Sequence, residues 1–396
     1  MSIYITGVGV ISAIGLNVKE NYQSLKDQKT GIKPLRFFPS EKEILAGEVK
    51  LSNEDLITQQ NVTSPISRTS LLGLVAAKEA WNGNEHNTNI RTGLISATSV
   101  GGMDNTEKYY EQRLNKEKED ISLITTHDSG NTTERIASEL GISGYINTIS
   151  TACSSGANAI MLGARLMLQN KLDRVLVGGS DSFTNFTEKG FRSLMIYSDE
   201  WVKPFDNDRN GLNLGEGGGF ILLENKKSLD ITNNTPLACL AGWSNTADAY
   251  HQTASSPDGK GATLAVSKAL KVANLKPADI SYINAHGTGT PNNDLSESTA
   301  LINVFGKDVP PFSSTKAYTG HTLAASGAIE AVYAVLALQN NVIYPNLNYS
   351  TPIADTQLVP ETSWNDTNEV KTVLSNSFGF GGNNSTVIFK KVEDVH

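Results

Sequence analysis

The chain has 396 residues, 39% of them hydrophobic and 19% charged, and a formal net charge of −8. By the rule of about 100–200 residues per domain, this length allows two or three domains or one large duplicated unit. The acidic balance argues against a general binder of nucleic acid or anionic membrane, which would be basic. Two cysteines, Cys153 and Cys239, make no disulfide framework and point to a reducing compartment, the cytoplasm. The start, MSIYITGVGV, lacks the basic stretch and cleavage site of a secretory signal. The sequence has no run of about 18 apolar residues that would make a membrane helix.

In chain order, Ser2–Ser12 reads as a strand and Val18–Gln28 as a polar helix. Residues 41–61 read as a polar surface excursion, Leu71–Trp81 as a helix and Gly93–Ser99 as an apolar strand. Asp104–Asp120 has the charge of a solvated helix, and Thr132–Leu140 is a further helix. Tyr145–Ser150 is β-prone and runs into Ser155–Gln169, a helix apolar nearly all round, which predicts burial on every side. Arg174–Gly178 and Gly219–Glu224 are strands. Asn225–Pro236 is polar and turn-rich and reads as a seam between two halves, 1–235 and 236–396.

The second half alternates in the same way. Leu237–Ser244 is a strand, Ala262–Ala273 a helix, Ile280–Ala285 a strand and Ala324–Gln339 a helix, before strands at Thr372–Asn376 and Ser385–Lys390. Such alternation predicts parallel or mixed sheets covered by helices, an α/β fold. The two halves do not visibly match residue by residue.

Four segments carry chemistry. In Thr151-Ala152-Cys153-Ser154-Ser155-Gly156, the cysteine sits where a strand turns into a helix. A helix N-terminus offers unpaired N–H groups and partial positive charge, and both favour a nucleophilic thiolate. A buried structural thiol fits this segment equally well. Cys239, inside an apolar strand, reads as core. In Asn284-Ala285-His286-Gly287-Thr288-Gly289-Thr290-Pro291 and Ser314-Thr315-Lys316-Ala317-Tyr318-Thr319-Gly320-His321, a histidine sits in a Gly/Thr loop at an element end. Each histidine alone reads either as a hydrogen-bonded structural group or as a ligand-facing one. One cysteine and two histidines could begin a zinc site, but no fourth ligand at normal spacing is present, so no metal is expected. Asn376-Ser377-Phe378-Gly379-Phe380-Gly381-Gly382-Asn383-Asn384 places glycines around aromatics, which permits unusual backbone angles. It lacks the Lys-Ser/Thr ending of a nucleotide loop and precedes a strand.

In this order, TACSSG, NAHGTGT, TKAYTGH and NSFGFGGNN resemble the β-ketoacyl-acyl carrier protein synthases, nearest the ketoacyl synthase I/II class. The resemblance extends to YITGVGVISAIG, NGLNLGEGGG and DAYHQT, and so to nearly the whole chain. Ketoacyl synthase III carries Asn where His321 stands, thiolases carry a second cysteine where SFGFGG stands, and chain-length factors usually lack the cysteine. The resemblance implies a thiolase-like fold of two similar halves in five α-β-α-β-α layers. It implies a decarboxylative Claisen condensation between an acyl group on Cys153 and malonyl-carrier protein. His286 and His321 would hold the enolate oxygen, and the N–H groups of Cys153 and Phe380 the oxyanion. Lys316 matches the family's active-site lysine, Glu330 its ion-pair partner and Asp294 an acidic support. Phe380 matches a swinging gate hinged on Gly379, Gly381 and Gly382, with Phe378 beside it and 248–261 as the partner loop. Val100 and Met103 match acyl-tunnel walls by position. No cofactor is implied. Acyl carrier protein and a homodimer, or a heterodimer with a chain-length-factor-like subunit, are the implied partners.

The sequence also departs from the family. The basic cluster usual before the early helix is reduced to Arg68 and Lys78, and Met195 stands where housekeeping relatives carry a docking Arg. Residues 125–133 read TTHDSGNTT where housekeeping relatives are more apolar. These departures favour specialised polyene, aryl polyene or polyketide assembly over housekeeping fatty-acid elongation. An accessory decarboxylase, priming or chain-length-determining subunit is the alternative role.

Overall fold

The computed structural model describes residues 2–38, 43–84, 87–367 and 369–392. Its first half runs β1 (Ile3–Ser12), α1 (Val18–Lys26), the short pair β2 (Lys33–Pro34) and β3 (Leu45–Ala46), α2 (Asn53–Gln60) and α3 (Arg68–Trp81). It continues with β4 (Thr92–Ala97), α4 (Met103–Leu114), α5 (Ser129–Leu140), β5 (Tyr145–Ile149), α6 (Ser155–Leu168), β6 (Arg174–Asp181), α7 (Asn185–Ser193), β7 (Gly217–Glu224) and α8 (Lys226–Thr232). The second half runs β8 (Ala238–Ala247), α9 (Lys260–Ala273), β9 (Tyr282–Asn284), α10 (Pro291–Phe305), β10 (Phe312–Ser313) and α11 (Lys316–Thr319). It closes with α12 (Ser326–Asn340), β11 (Thr372–Gly379) and β12 (Asn383–Lys390).

Local chemistry sets many of the boundaries. Asn17, Ser67, Thr184 and Asn225 each accept a backbone N–H as N-caps, and Ser52 with Asp55 forms a capping box. Helices α2, α3, α8, α9 and α12 each stop at an asparagine in the left-handed region. The Asn225 cap corrects the reading of 225–236 as turns alone, since α8 occupies 226–232. The polar excursion likewise contains α2, and its first two residues lie outside the described ones. The charged stretch from 104 is helical only to Leu114, where Asn115 caps it.

The strands form one ladder in the order β10-β9-β11-β12-β8-β1-β7-β6-β4-β5, joined at its middle by β1 against β8. Either side of that joint the pattern is the same. Numbering the strands of each side by their order in the chain, both read 1-5-4-2-3 outward from the joint. Both have two antiparallel pairings followed by two parallel ones.

Side chains alternate across each strand. Ile95, Val177 and Ile221 join a central core, while Leu94, Leu176 and Leu222 point to an outer one built on α3. On the other side Val373 and Val387 face the central core, and Leu374 and Ile388 a second outer one on α9. Period-two alternation with both faces apolar is what a sheet covered on both sides requires. The layers are therefore α3/α5, sheet, α6/α12, sheet, α9/α10, the five-layered α/β arrangement. Each buried Leu, Ile or Val adds about 1.5–3 kcal/mol. The segment Leu323–Asn340 is long and apolar enough to cross a membrane, but 89% of it is buried between the sheets.

Candidate active site

The middle layer positions Cys153. Ala152 takes φ +54, a left-handed angle that throws Cys153 onto the N-terminus of α6. The N–H of Thr151 donates to Ser155 Oγ at 2.7 Å, bracing the turn. Cys153 is buried, and burial pushes its thiol up to about 11. Lys316 and the backbone N–H groups of Phe380 and Cys153 pull the other way, as does the positive end of α6.

His321 Nε2 lies 3.1 Å from Cys153 Sγ. The N–H of Leu323 donates to His321 Nδ1 at 3.1 Å, with Ser326 Oγ 3.0 Å from the same nitrogen. A nitrogen that accepts an N–H carries no hydrogen of its own, so Nε2 of the neutral ring presents its N–H to the sulfur. His286 stands edge-on to His321, ring centres 5.4 Å apart. Both pKa values sit well below 6.5, through burial and then the Lys316 charge, with His321 adding to the effect at His286. Both rings are therefore neutral at physiological pH, each with one N–H to donate.

The His286 loop is held from α10. Glu297 accepts the N–H of His286 at 2.9 Å, of Gly287 at 2.8 Å and of Asn376 Nδ2 at 3.0 Å. Asp294, one turn earlier, accepts the N–H of Gly289 and, at 2.7 Å, of Phe205. Lys316 and Glu330 form a buried ion pair, and burial pushes Glu330 up to about 7 while Lys316 opposes it.

The C-terminal loop closes the site. The Phe380 ring stacks on Phe191, centres 5.6 Å apart. Gly381 and Gly382 adopt φ +79 and +71, and a Cβ on Gly382 would fall 1.8 Å from Asp248 Oδ1. Gly381 N–H donates to Gln252 O at 2.7 Å, so the segment after Asp248 does pack on this loop. Phe378 lies 5.9 Å from the His286 ring. A cavity of about 330 Å³ reaches Cys153, both histidines, Phe378 and Phe380, with Met195 at its rim. A larger cavity, about 480 Å³, surrounds the Arg68–Glu216 ion pair and contains none of these residues.

Other residues singled out in the sequence lie elsewhere. Val100 and Met103 do not line the Cys153 cavity; they pack with Phe183, Leu212, Leu214 and Leu323. Arg68 points inward, paired with Glu216 at 2.6 Å, and Lys78 donates to Gln60 O. Met195 is 88% exposed. In the stretch 125–133 Thr126, Thr132 and Thr133 are buried, Thr133 sharing a 2.6 Å hydrogen bond with Thr148. Sequence reading missed Glu297, Asp181, Ser326 and Phe191. The i,i+3 acid pair Asp294/Glu297 on a Pro-started helix was the available signal.

Cys153, His286 and His321 bring their ligand atoms within 4.8 Å of one another. A metal on His321 would need the Nε2 lone pair, and hence hydrogen on Nδ1, facing the Leu323 N–H. The donor set therefore fits a metal poorly.

A cysteine on a helix N-terminus, two neutral imidazoles and a buried ammonium on a five-layered frame define a covalent acyl-transfer enzyme of the thiolase superfamily. Residues 1–228 match the β-ketoacyl synthase N-terminal domain and 237–350 the C-terminal domain, so the chain belongs to the β-ketoacyl synthase family. It is 34% identical to the 3-oxoacyl-[acyl-carrier-protein] synthase 2 of Synechocystis sp., over 99% of this chain and 98% of that one. Its structure is similar to that of the ishigamide ketosynthase/chain length factor, with TM-score 0.91, 28% identity and 99% of each chain covered. It is also similar to the ketosynthase ApeO in complex with its chain length factor ApeC from Xenorhabdus doucetiae. There the TM-score is 0.86 and the identity 31%, with 99% of this chain and 98% of that one covered.

Proposed function

We propose that the chain is a β-ketoacyl-acyl carrier protein synthase that extends an acyl chain by two carbons on Cys153. The supporting observation is the 3.1 Å approach of His321 Nε2–H to Cys153 Sγ, beside a second neutral histidine. In the first half-reaction the sulfur attacks the carrier-bound thioester carbonyl. The oxyanion faces the N–H groups of Cys153 and Phe380, and the carrier thiol leaves with the cysteine's proton. In the second, a malonyl thioester loses carbon dioxide, and its enolate oxygen takes hydrogen bonds from His286 and His321. The enolate carbon attacks the acyl carbonyl on Cys153; a C–C bond forms and the C–S bond breaks, freeing the sulfur. Burial keeps both rings neutral donors, and the charge of Lys316, paired with Glu330, adds to it. Asp294 holds the His286 loop, and Phe380 gates the pocket on Gly379, Gly381 and Gly382. Val100 and Met103 would line the acyl path beyond Leu212.

The two halves, 1–235 and 236–396, divide this work, a reading supported by the repeated strand order. Acyl carrier protein is the substrate carrier, in keeping with the name of the Synechocystis relative. A second subunit, identical or chain-length-factor-like, fits the unpaired edge of β5, where Tyr145 and Ile146 are each 38% exposed. Two of the similar structures are ketosynthases with chain length factors, which supports polyketide- or polyene-type assembly. A sequence with only two cysteines, Cys153 and Cys239, accords with the cytoplasm.

Mass spectrometry of carrier-bound products tests this, with malonyl-carrier protein and saturated, polyenoyl and aryl-primed acyl carriers. Two-carbon extension is expected from the wild-type chain, and neither extension nor acyl adduct from Cys153→Ala. Full extension by Cys153→Ala would overturn the mechanism. Carbon dioxide release without extension, whatever partner is added, would assign the accessory role instead.

A further inference from the structure

Asp181 ends β6 and is wholly buried outside the cavity lining, close enough for its charge to help raise the Cys153 thiol. Four hydrogen-bond donors converge on its carboxylate. Thr98 Oγ1 donates at 2.6 Å, Ser99 N–H at 2.9 Å and Val100 N–H at 3.2 Å, all to Oδ1. Ala324 N–H donates to Oδ2 at 2.8 Å. Three of the four are backbone N–H groups that can only donate, so the site favours a group that accepts. Burial pushes Asp181 up to about 6, which still leaves it the acceptor-only carboxylate at neutral pH.

The Ala324 contact matters because of what lies beside it. Leu323 adopts φ +52, a left-handed angle costly for a side chain with a Cβ. The two amides flanking that residue point in fixed directions: Leu323 N–H into His321 Nδ1, Ala324 N–H into Asp181. Val100, held by the same carboxylate, packs in one cluster with the Leu323 side chain. Asp181 thus grips the strained turn by its amide and by the packing against it.

We propose that Asp181 is a positioning residue for His321: by clamping Ala324 and the 98–100 turn it holds Leu323 left-handed, and Leu323 N–H then fixes His321 with hydrogen on Nε2, toward the sulfur. This deepens the reading of His321 as enolate donor and rests on it.

Nitrogen NMR of the His321 ring, with histidine-selective labelling, reads the tautomer directly. The wild-type chain is expected to carry hydrogen on Nε2. Asp181→Asn puts an amide N–H among donors, and is expected to mix the tautomers. It should slow carbon dioxide release from malonyl-carrier protein by roughly ten- to a hundredfold, less than outright loss of a donor. Adding Leu323→Gly should restore part of the Nε2–H form and part of the rate, because glycine enters the left-handed angle without the steric cost that leucine needs a clamp to offset. A folded Asp181→Asn with the wild-type tautomer and rate overturns the proposal, as does a double variant no better than the single one. Should Asp181→Asn fail to fold, Thr98→Val loosens the same carboxylate. A smaller shift in the same direction supports the proposal, and an unchanged ring and rate overturn it. The tautomer is read from the ring, so absence of condensation by the wild-type chain would count against the functional reading alone.

Discussion

The turn into α6 and the turn into α12 occupy equivalent places, each between the third and fourth strand of its side of the ladder. They read TACSSGA at 151–157 and TLAASGA at 322–328. Ala152 and Leu323 have φ +54 and +52, and each precedes its helix start, Ser155 or Ser326, by three residues. Gly156 and Gly327 let the two helices cross closely; a Cβ on Gly156 would fall 2.7 Å from Ala328 N. The backbones repeat while the chemistry divides. In the first turn the residue after the strained one is Cys153, and Ser155 Oγ braces the backbone of its own turn. In the second that place is Ala324, and Ser326 Oγ touches the ring of His321 instead. In the proposed reaction one frame presents the nucleophile and the other presents a donor to it.

The largest expected effect separates these two roles. His321→Ala should cut carbon dioxide release from malonyl-carrier protein by roughly 10²–10³-fold, the usual cost of one oxyanion donor. Acyl adduct on Cys153, followed by intact-protein mass, should still form. An equal loss in both half-reactions would break the division between the turns.

Glu297 sharpens the comparison through pH. Burial raises it from 4.5 to about 7, so the folded state binds its proton more tightly than the unfolded state. Its stabilising contribution is full below about pH 4.5 and is lost as pH rises through about 7, by up to about 3 kcal/mol. Glu330, also raised to about 7, has the same sign. Glu297→Gln should flatten the fall of melting temperature between these pH values. An unchanged slope would show that the His286 loop is held without a titrating carboxyl.

The gate loop gives a smaller, internal contrast. Gly381 and Gly382 share left-handed angles, but a Cβ on Gly381 meets open space while one on Gly382 meets Asp248. Gly381→Ala should cost about 1 kcal/mol for the backbone angle alone. Gly382→Ala should cost about 1–3 kcal/mol more for the clash and slow extension. Equal melting temperatures for the two variants would mean that the loop around Asp248 yields freely.

The strands, the core helices and the Cys–His–His set were legible because each carries a local signature: apolar alternation, or a chemical residue in a Gly/Thr turn. Helix α8 was hidden by its polar composition, although its Asn225 cap was in plain sight. Glu297 was legible only as the i,i+3 neighbour of Asp294, and Asp181 not at all, because their meaning lies in amides brought from other elements: residues 286–287 for one, 98–100 and 324 for the other. The TACSSGA/TLAASGA match escaped notice because only backbone angles show that the second residue of each plays the same part. Arg68 illustrates the reverse error. A charge in sequence reads as surface until its partner, Glu216, 148 residues away, is placed beside it.

The mildest substitution asks whether the strain at the first turn is functional. Ala152→Gly removes a methyl group whose steric cost at φ +54 is about 1 kcal/mol, and adds a comparable freedom to the unfolded chain. The two nearly cancel, so the melting temperature should shift by no more than the equivalent of about 1 kcal/mol. Acylation is a different matter. Alanine, held left-handed by the Ser155 brace, leaves Cys153 one orientation over the helix end, whereas glycine permits others. Adduct formation on Cys153 should therefore slow several-fold at nearly unchanged stability. An unchanged acylation rate would make the left-handed alanine a feature of chain routing, and the likeness of the two turns a matter of folding alone.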